Sequence, residues 1–508
     1  MSFLPFPKKH NKSEQLFSGW LEMTYLFLRL SLHPSLDFSI VFSLFLTGLI
    51  LCLALEEKLH AKKSVIAGSF AVICLLAGAA YEILPFGEVG IPPVPATHEA
   101  DDHATDHDEH ASGHTVAMPV YIPAIDWGVI AIILGSSIFV DVTTKSGLFT
   151  WIAIKVTKAS RGDPRRLLIF YGIMTVVFSA VLNNVTAMII VGSLTVVSLE
   201  RLGIREKLLG FLLIEGLLTN IGGLLTLISS VPNIIVGNAA GISFATFFIK
   251  SSPYVVVATA ITLYLGARIF KIEALKDEEE RTRAERQVMQ FDENDGVTSW
   301  AFFRFSAVVL CLFIITIACT SVLPYVKDLG MGYVALSFAM VMLLRYRSTA
   351  DQFYRAVDWD LLGFFMCLFA VIYVMEWAGV LTAIGNGMKQ VLADPASATA
   401  NARDVSTMLV GAAGFSSVTD NIPLAAMLAN ILEVELQTPS ESKLWWSVIF
   451  GANLGGNITP IGSASTLVAV TIMHKQKLNM SFSAFIKAAG LFAIVQILLA
   501  LAYVVLIL

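Results

Sequence analysis

The chain has 508 residues, of which 56% are hydrophobic and only 14% charged, with a net charge of −5 and a mean hydropathy of +0.73. Soluble domains carry about 25% charged residues, so the composition excludes one and points to an all-α polytopic membrane protein, with several runs near the ~20 apolar residues that span a bilayer. There is no His-Glu-x-x-His, Gly-x-Ser-x-Gly or Walker sequence and no basic aromatic patch, so an enzyme, direct ATP drive and nucleic-acid binding have no support, and no cofactor is called for.

In chain order, residues 1–63 come first. They open with Lys8, Lys9 and Lys12, continue through an apolar stretch over 15–32 that carries Glu22 and Arg29, and include the run Phe38–Leu55. Without a small-x-small cleavage site, 15–32 reads as a weak span or an interfacial helix. Residues 64–119 hold one span, Ser64–Leu84, and then a hydrophilic loop. In that loop His103, His107, His110 and His114 are four, three and four apart. On a helix that spacing would suit Zn2+ or Cu2+. The interleaved Asp101, Asp102, Asp106, Asp108 and Glu109 favour a solvated acidic loop instead, and an external pH sensor is a third reading. Cys52, Cys74, Cys311, Cys319 and Cys367 all fall in apolar spans and read as small buried hydrophobes.

Two long stretches follow, 120–270 and 300–508, joined by a mixed-charge linker over 271–299 that reads as a solvated spacer. The stretches carry the same landmarks in the same order. Asp126-Trp127 opens an apolar run that ends near Lys145-Ser146-Gly147-Leu148, and Asp358-Trp359 opens one that ends near Trp377-Ala378-Gly379-Val380. Next come Asn-led breaks, Asn183-Asn184-Val185-Thr186 and Asp420-Asn421-Ile422-Pro423. After one more helical segment each stretch reads N-x-G-G-x-x-T-x-I-x-S, from Asn220 to Ser230 and from Asn453 to Ser463. Broken backbone at membrane depth persists only where it is buried in protein or lines a cavity. Two matched broken segments are the signature of a secondary transporter whose binding site sits at the repeat interface.

Charge sets the orientation. Lys155, Lys158, Arg161, Arg165 and Arg166 occupy the first polar stretch, against Lys389 and Arg403 in the second. Arg201, Arg205 and Lys207 follow the first Asn break, against Lys443 after the second. Short cytoplasmic loops carry the excess of Lys and Arg, so equivalent loops lie on opposite sides and the repeats are inverted. Each repeat then has a re-entrant hairpin and a broken transmembrane helix. The linker 271–299 falls in the cytoplasm, with Lys58, Lys62, Lys63, Arg345 and Arg355 on the same side, and the His-rich loop falls outside. The expected location is a bacterial inner membrane.

Neutral oxygens suit a hard cation such as Na+, taken as the transported or coupling ion. The ion- or substrate-binding candidates are Asn183, Asn184, Thr186, Asn220, Gly222, Gly223, Thr226, Pro232 and Asn233 in the first half. In the second they are Asp420, Asn421, Asn453, Gly455, Gly456, Asn457, Thr459 and Ser463. Half-helix N-termini at the same breaks suit an anion, so the motif alone leaves cation and anion open. For any single Gly-Gly pair, close helix packing explains the small residues equally well. Intramembrane ionisable groups are functional by default, which makes Asp420, Glu215, Asp141 and Glu376 the proton-coupling candidates, Asp420 foremost. Against this, Asp141 and Lys145 can form an ordinary i,i+4 pair, and Glu376 beside Trp377 can be an interface anchor.

These motifs resemble the ion transporter superfamily, in the branch that holds arsenite permeases, NhaD-type Na+/H+ antiporters and the melanosomal P protein. The resemblance rests on Ser160-Arg161-Gly162, Phe178–Thr186, Thr219–Gly223 with Pro232-Asn233, Ser416–Pro423, and Leu444-Trp445-Trp446 through Ser463. It covers roughly residues 120–505. It implies two inverted repeats in a homodimer that moves a transport domain like an elevator. Asn183-Asn184 and Ser229-Ser230-Val231-Pro232-Asn233 stand where many relatives have Asp-Asn and Gly-Asp-Pro-Pro-Asn, so the first half lacks two carboxylates. The leading expectation is a secondary active Na+/H+ antiporter. The alternative is a Na+- or H+-coupled carrier of a small anion, arsenite or a carboxylate such as citrate.

Overall fold

The computed structural model describes residues 38–85, 89–90, 115–116, 119, 122–346, 350–397, 400–419 and 421–508. The expected span or interfacial helix over 15–32, the four loop histidines and Asp420 lie outside them. Among the described residues the regular structure is helical apart from one two-residue antiparallel pairing, Val89–Gly90 with Thr115–Val116. Among the described residues nine helices are long and apolar enough to cross a membrane.

Helices α1 (Phe38–Ala54) and α2 (Lys63–Ala80) precede the region 120–270. That region contains α3 (Trp127–Lys145), α4 (Leu148–Ala159), α5 (Pro164–Val181), α6 (Asn184–Leu202), α7 (Leu208–Gly223), α8 (Val231–Ala239) and α9 (Phe244–Ile269). The linker forms α10 (Glu278–Met289). Then come α11 (Trp300–Ala318), α12 (Val326–Arg345), α13 (Ala350–Ala356), α14 (Trp359–Trp377), α15 (Val380–Val391), α16 (Ala402–Ser416), α17 (Asn421–Asn430), α18 (Lys443–Gly455), α19 (Ala464–Lys475) and α20 (Phe482–Leu506).

Local chemistry sets the ends. Asp126 accepts from the Val129 N–H and Asp358 from the Leu361 N–H, which caps α3 and α14 alike. Each following Trp donates its indole N–H to a carbonyl five residues back, Trp127 to Ile122 and Trp359 to Tyr354. Gly147 and Gly379, both at positive φ, then turn the chain into α4 and α15. The α9 helix carries Pro253 inside it.

Packing crosses between the halves. Helix α2 lies along α14, and α12 lies along α3, where a Cβ on Gly135 would sit 2.5 Å from the Ala335 carbonyl carbon. The other major layer is built from α5–α7 and α9 with α16–α20. Apolar side chains such as Ile173, Val177, Val256 and Ile249 are exposed on its outside, as lipid contact requires. Two expectations are corrected. Cys311 lies on the exposed face of α11 rather than in a core, while Cys74 is buried. The linker is no free spacer: α10 packs on α4 and α6, with Val288 and Phe291 buried against Ile154. Three salt bridges, Lys155 and Lys158 to Glu293 and Arg161 to Glu285, and a close glycine contact at Gly162–Ala284 accompany the docking.

Candidate transport site

Both N-x-G-G segments break their helix where the sequence says they should. Helix α7 ends at Gly223 and α8 begins at Val231; α18 ends at Gly455 and α19 begins at Ala464. The intervening backbone is buried, so its polar groups need partners from the protein. Ser229 donates to the Gly223 carbonyl at 2.5 Å, and Asn233 Nδ2 donates to the same carbonyl at 2.6 Å. At the matching place in the second half, Thr466 Oγ1 donates to the Ser463 carbonyl at 2.8 Å and to that of Gly456 at 3.4 Å.

The breaks are clamped onto the Asn-led hairpins by the same contacts in each half. Ser179 donates to the Thr219 carbonyl at 2.7 Å, and Ser416 to the Ala452 carbonyl at 2.6 Å. Thr226 donates to the Ala180 carbonyl at 2.6 Å, and Thr459 to the Ser417 carbonyl at 2.5 Å. Gly222 lies against the Val176 backbone and Gly455 against that of Ala413, too close for a Cβ.

The two halves then exchange side chains. Asn220 Nδ2 donates to Ser463 Oγ at 2.9 Å and to Asn457 Oδ1 at 2.8 Å. Reciprocally, Ser230 Oγ donates to Asn453 Oδ1 at 2.8 Å, and Asn453 Nδ2 donates to Asn233 Oδ1 at 2.8 Å. Asn184 Nδ2 reaches Asn220 Oδ1 at 3.4 Å while its Oδ1 accepts from Ser179 at 2.6 Å. Asn457 Nδ2 continues to Gln496 at 2.8 Å.

A cavity of about 880 Å3 opens in front of this network. Of the sequence-predicted residues, Asn183, Asn184, Thr186, Asn220, Pro232, Asn421 and Ser463 line it. Gly222, Gly223, Thr226, Asn233, Asn453, Gly455, Gly456, Asn457 and Thr459 stand behind the wall and hold it together. Ser229, Ser230 and Ser465 also line the cavity and are not among the expected residues, although Ser229 and Ser230 sit in the first motif and Ser465 two residues beyond the second. So did Lys62, Lys63, Asp358 and Asp360 at the mouth, which reach it because α2 packs on α14. No local sequence signal announces that contact.

Helix N-termini converge here. The first residues of α6 (Asn184, Val185, Thr186), α8 (Val231, Pro232), α17 (Asn421, Ile422) and α19 (Ala464, Ser465) all face the cavity. Asn183 and Ser463 cap α6 and α19, whereas α8 has no side-chain cap.

Asp420 lies outside the described residues, and the other three acidic candidates lie away from the cavity. Glu215 is fully buried in α7; Oε1 accepts from Thr195 at 2.6 Å and Oε2 has no partner among the described residues. Asp141 pairs with Lys145 at 2.8 Å, as the i,i+4 spacing anticipates. Glu376 accepts from Asn430 at 2.9 Å, away from the cavity. No group of three or more His, Cys, Asp or Glu side chains suited to a metal occurs among the described residues.

Known proteins agree with this architecture. The protein-family profile described as citrate transporter, CitMHS, matches residues 50–449. An uncharacterized transporter of Mycobacterium tuberculosis is 30% identical over 384 residues, covering 75% of this chain and 86% of that one. The human P protein is 25% identical over 446 residues, covering 72% of this chain and 51% of its own length. Among solved structures, MtrF of Neisseria gonorrhoeae aligns with a TM-score of 0.52 at 14% identity, covering 88% of this chain and 95% of that one. The YdaH transporter of Alcanivorax borkumensis aligns with a TM-score of 0.54 at 12% identity, covering 87% and 98%. These two share the fold. The chain is an integral membrane transporter, not an enzyme, and it belongs to the CitMHS citrate transporter family of the ion transporter superfamily.

Proposed function

We propose that this transporter carries a small carboxylate-bearing anion, coupled to Na+ or H+, by alternating access. The observation that carries the reading is the convergence of four helix N-termini on one cavity. Each N-terminus contributes roughly half a positive charge, and the N–H groups not taken by a cap can donate to anionic oxygens. Lys62 and Lys63 stand at the mouth together with Glu56, Asp358 and Asp360, and Lys63 pairs with Glu56 at 3.7 Å, so the reading rests on the helix N-termini and not on net charge at the mouth. The family's description as citrate transporters points the same way.

On this reading the mouth at Lys62 and Lys63 faces the cytoplasm of a bacterial cell, following the excess of basic residues there. The transport body formed by α5–α9 with α16–α20 moves like an elevator against α3, α12, α2 and α14 in a homodimer. Na+ is held by the neutral oxygens of Asn184, Asn220 and their neighbours. Na+/H+ antiport without an organic substrate is the second reading. It draws on the buried Glu215, which lies on the same helix as Asn220.

Proteoliposomes separate the two. With an inward Na+ or H+ gradient, labelled citrate should accumulate, and Ser230→Ala with Ser465→Ala should raise KM. Release of a trapped acid load by Na+ or Li+ with no anion present, and no anion uptake, would overturn the anion reading in favour of antiport.

A further inference from the structure

We propose a second, lipid-binding site on the outer surface: a groove between α5 and α9 that takes an anionic phospholipid. The helices meet closely at one point, where a Cβ on Gly172 would fall 2.4 Å from Leu263 Cδ2. Outside that contact they enclose a groove of about 1040 Å3.

Two stripes at i,i+4 spacing form its walls. On α5 they are Arg165, Ile169, Ile173 and Val177; on α9 they are Val256, Ala260, Tyr264 and Arg268. The apolar members are exposed to a degree that only a lipid surface tolerates, with Val256 66% and Ile173 49% accessible. Each stripe is twelve residues from end to end, about 18 Å along a helix, close to the ~15 Å depth of one leaflet in a 30 Å hydrocarbon core. The walls therefore match one acyl chain of one leaflet.

The charged end matches a headgroup. Helix α5 begins and α9 ends at the same membrane face, and there Arg165, Arg268, Lys271, Lys276 and Arg281 surround the groove, with Glu273 as its one acid. Lys276 pairs with Glu273 at 3.6 Å, and Arg281 with Glu278 at 3.3 Å. Arg165, Arg268 and Lys271 have no carboxylate within ion-pair distance among the described residues. Arg268 lies over the Tyr264 ring at 5.5 Å, which fixes it at the rim. Basic pockets between helices on the cytoplasmic side recognise anionic headgroups in this way. At its apolar end the groove reaches Leu225, in the unwound segment between α7 and α8, and Thr259, whose buried hydroxyl has no partner among the described residues. A bound tail would therefore press on the broken helix that carries the transport network.

The test uses full-length protein purified in neutral detergent. Phosphatidylglycerol, phosphatidylcholine with the same chains, and glycerol 3-phosphate are titrated separately against thermal unfolding. Phosphatidylglycerol should raise the melting temperature saturably, and the other two should not. R165Q/R268Q/K271Q should weaken the phosphatidylglycerol response about 100-fold at three interfacial charges. The charge-matched R283Q/R286Q/K475Q should leave it unchanged. Val256→Trp, which fills the apolar part, should weaken it while circular dichroism stays native. Equal shifts from phosphatidylcholine or from glycerol 3-phosphate overturn the proposal, as does equal loss in the charge-matched control. If Val256→Trp splits a dimer and leaves the lipid response intact, the groove belongs to a second copy and the proposal fails. Should the triple variant not fold, Arg268→Gln alone decides by the same readout.

Discussion

The two broken helices share a scaffold and differ in chemistry. Ser179 and Ser416, Thr226 and Thr459, Gly222 and Gly455 make the same contacts in each half. The helices leading into the breaks do not carry the same side chains. In α7, five residues before Asn220, stands the buried carboxyl of Glu215; in α18, five residues before Asn453, stands buried Val448. Around Glu215 the first half also places a row of hydroxyls. Thr157 bonds Tyr171 at 2.6 Å and Tyr171 bonds Ser198 at 2.7 Å, with Thr195 one turn away on α6. These pairs recur because they satisfy carbonyls that lipid cannot, although the Gly223 carbonyl is held by Ser229 and Asn233 and its counterpart at Gly456 by Thr466. The ionisable chemistry is free to sit in one half alone.

The largest effects come from exchanging that difference. Val448→Glu places a carboxyl at a fully buried apolar position, and should cost about 3 kcal/mol or more. Glu215→Gln keeps the Thr195 contact and should change stability by less than about 1 kcal/mol, while flattening the pH dependence of uptake. Thermal unfolding and uptake from pH 5.5 to 8.5 check both. An unaltered pH profile in Glu215→Gln would remove it from proton coupling.

Next in size is the shared scaffold. A Cβ at Gly455 falls 2.3 Å from the Ala413 carbonyl oxygen and one at Gly222 falls 2.7 Å from that of Val176. Both obstacles are backbone, so Gly455→Ala should lose about 3 kcal/mol and Gly222→Ala about 1–3. The order of the two melting temperatures is the measurement. Equal or reversed losses would mean the hairpin backbones relax independently of these contacts.

Smaller again, and more informative about function, are the paired asparagines. Removing either amide leaves buried partners unsatisfied, at about 1–3 kcal/mol each. Only Asn220 faces the cavity; Asn453 is behind it. Asn220→Ala should therefore raise KM about tenfold or more. Asn453→Ala should lower the amount of folded protein and leave the KM of the remainder unchanged. Kinetics normalised to folded protein distinguish them.

Much of this was legible in the sequence, for a physical reason. Gly, Asn and Ser inside apolar runs have no place on lipid-facing helices, so Asn183-Asn184, Asn220–Gly223 and Asn453–Gly456 mark breaks that are buried or line a cavity on their own. Asp126 and Asp358 before Trp likewise announce helix starts, and both are caps. What stayed hidden depends on contacts between distant segments. Which motif residues line the cavity and which stand behind it is set by the crossing of the halves, so Asn233 and Thr226 read as ligands but spend their polar atoms on neighbouring groups. Lys62 and Lys63 enter the mouth only through the packing of α2 on α14. Charge density made 271–299 look solvated, although its charges have specific partners on α4.

Those partners give the smallest effect and a defined pH dependence. Lys155 at 2.7 Å and Lys158 both bond the Glu293 carboxylate, and with a backbone N–H they hold it down from 4.5 to about 2. A carboxyl lowered on folding contributes stability that is complete above its unfolded value and disappears as pH falls through the folded one. Between pH 8 and 5 the contribution is therefore constant, and it is lost between about 4.5 and 2. Hydrogen exchange over α10, corrected for intrinsic rate, should be flat across pH 8 to 5 in the wild type. Glu293→Gln should speed it two- to fivefold throughout that range, and less in high salt, because exposed ion pairs are weak and screened. Unchanged exchange in Glu293→Gln would assign the docking of α10 to Val288 and Phe291 alone. The linker would then be held as the transport core is held, by burial, with its charges setting only solubility.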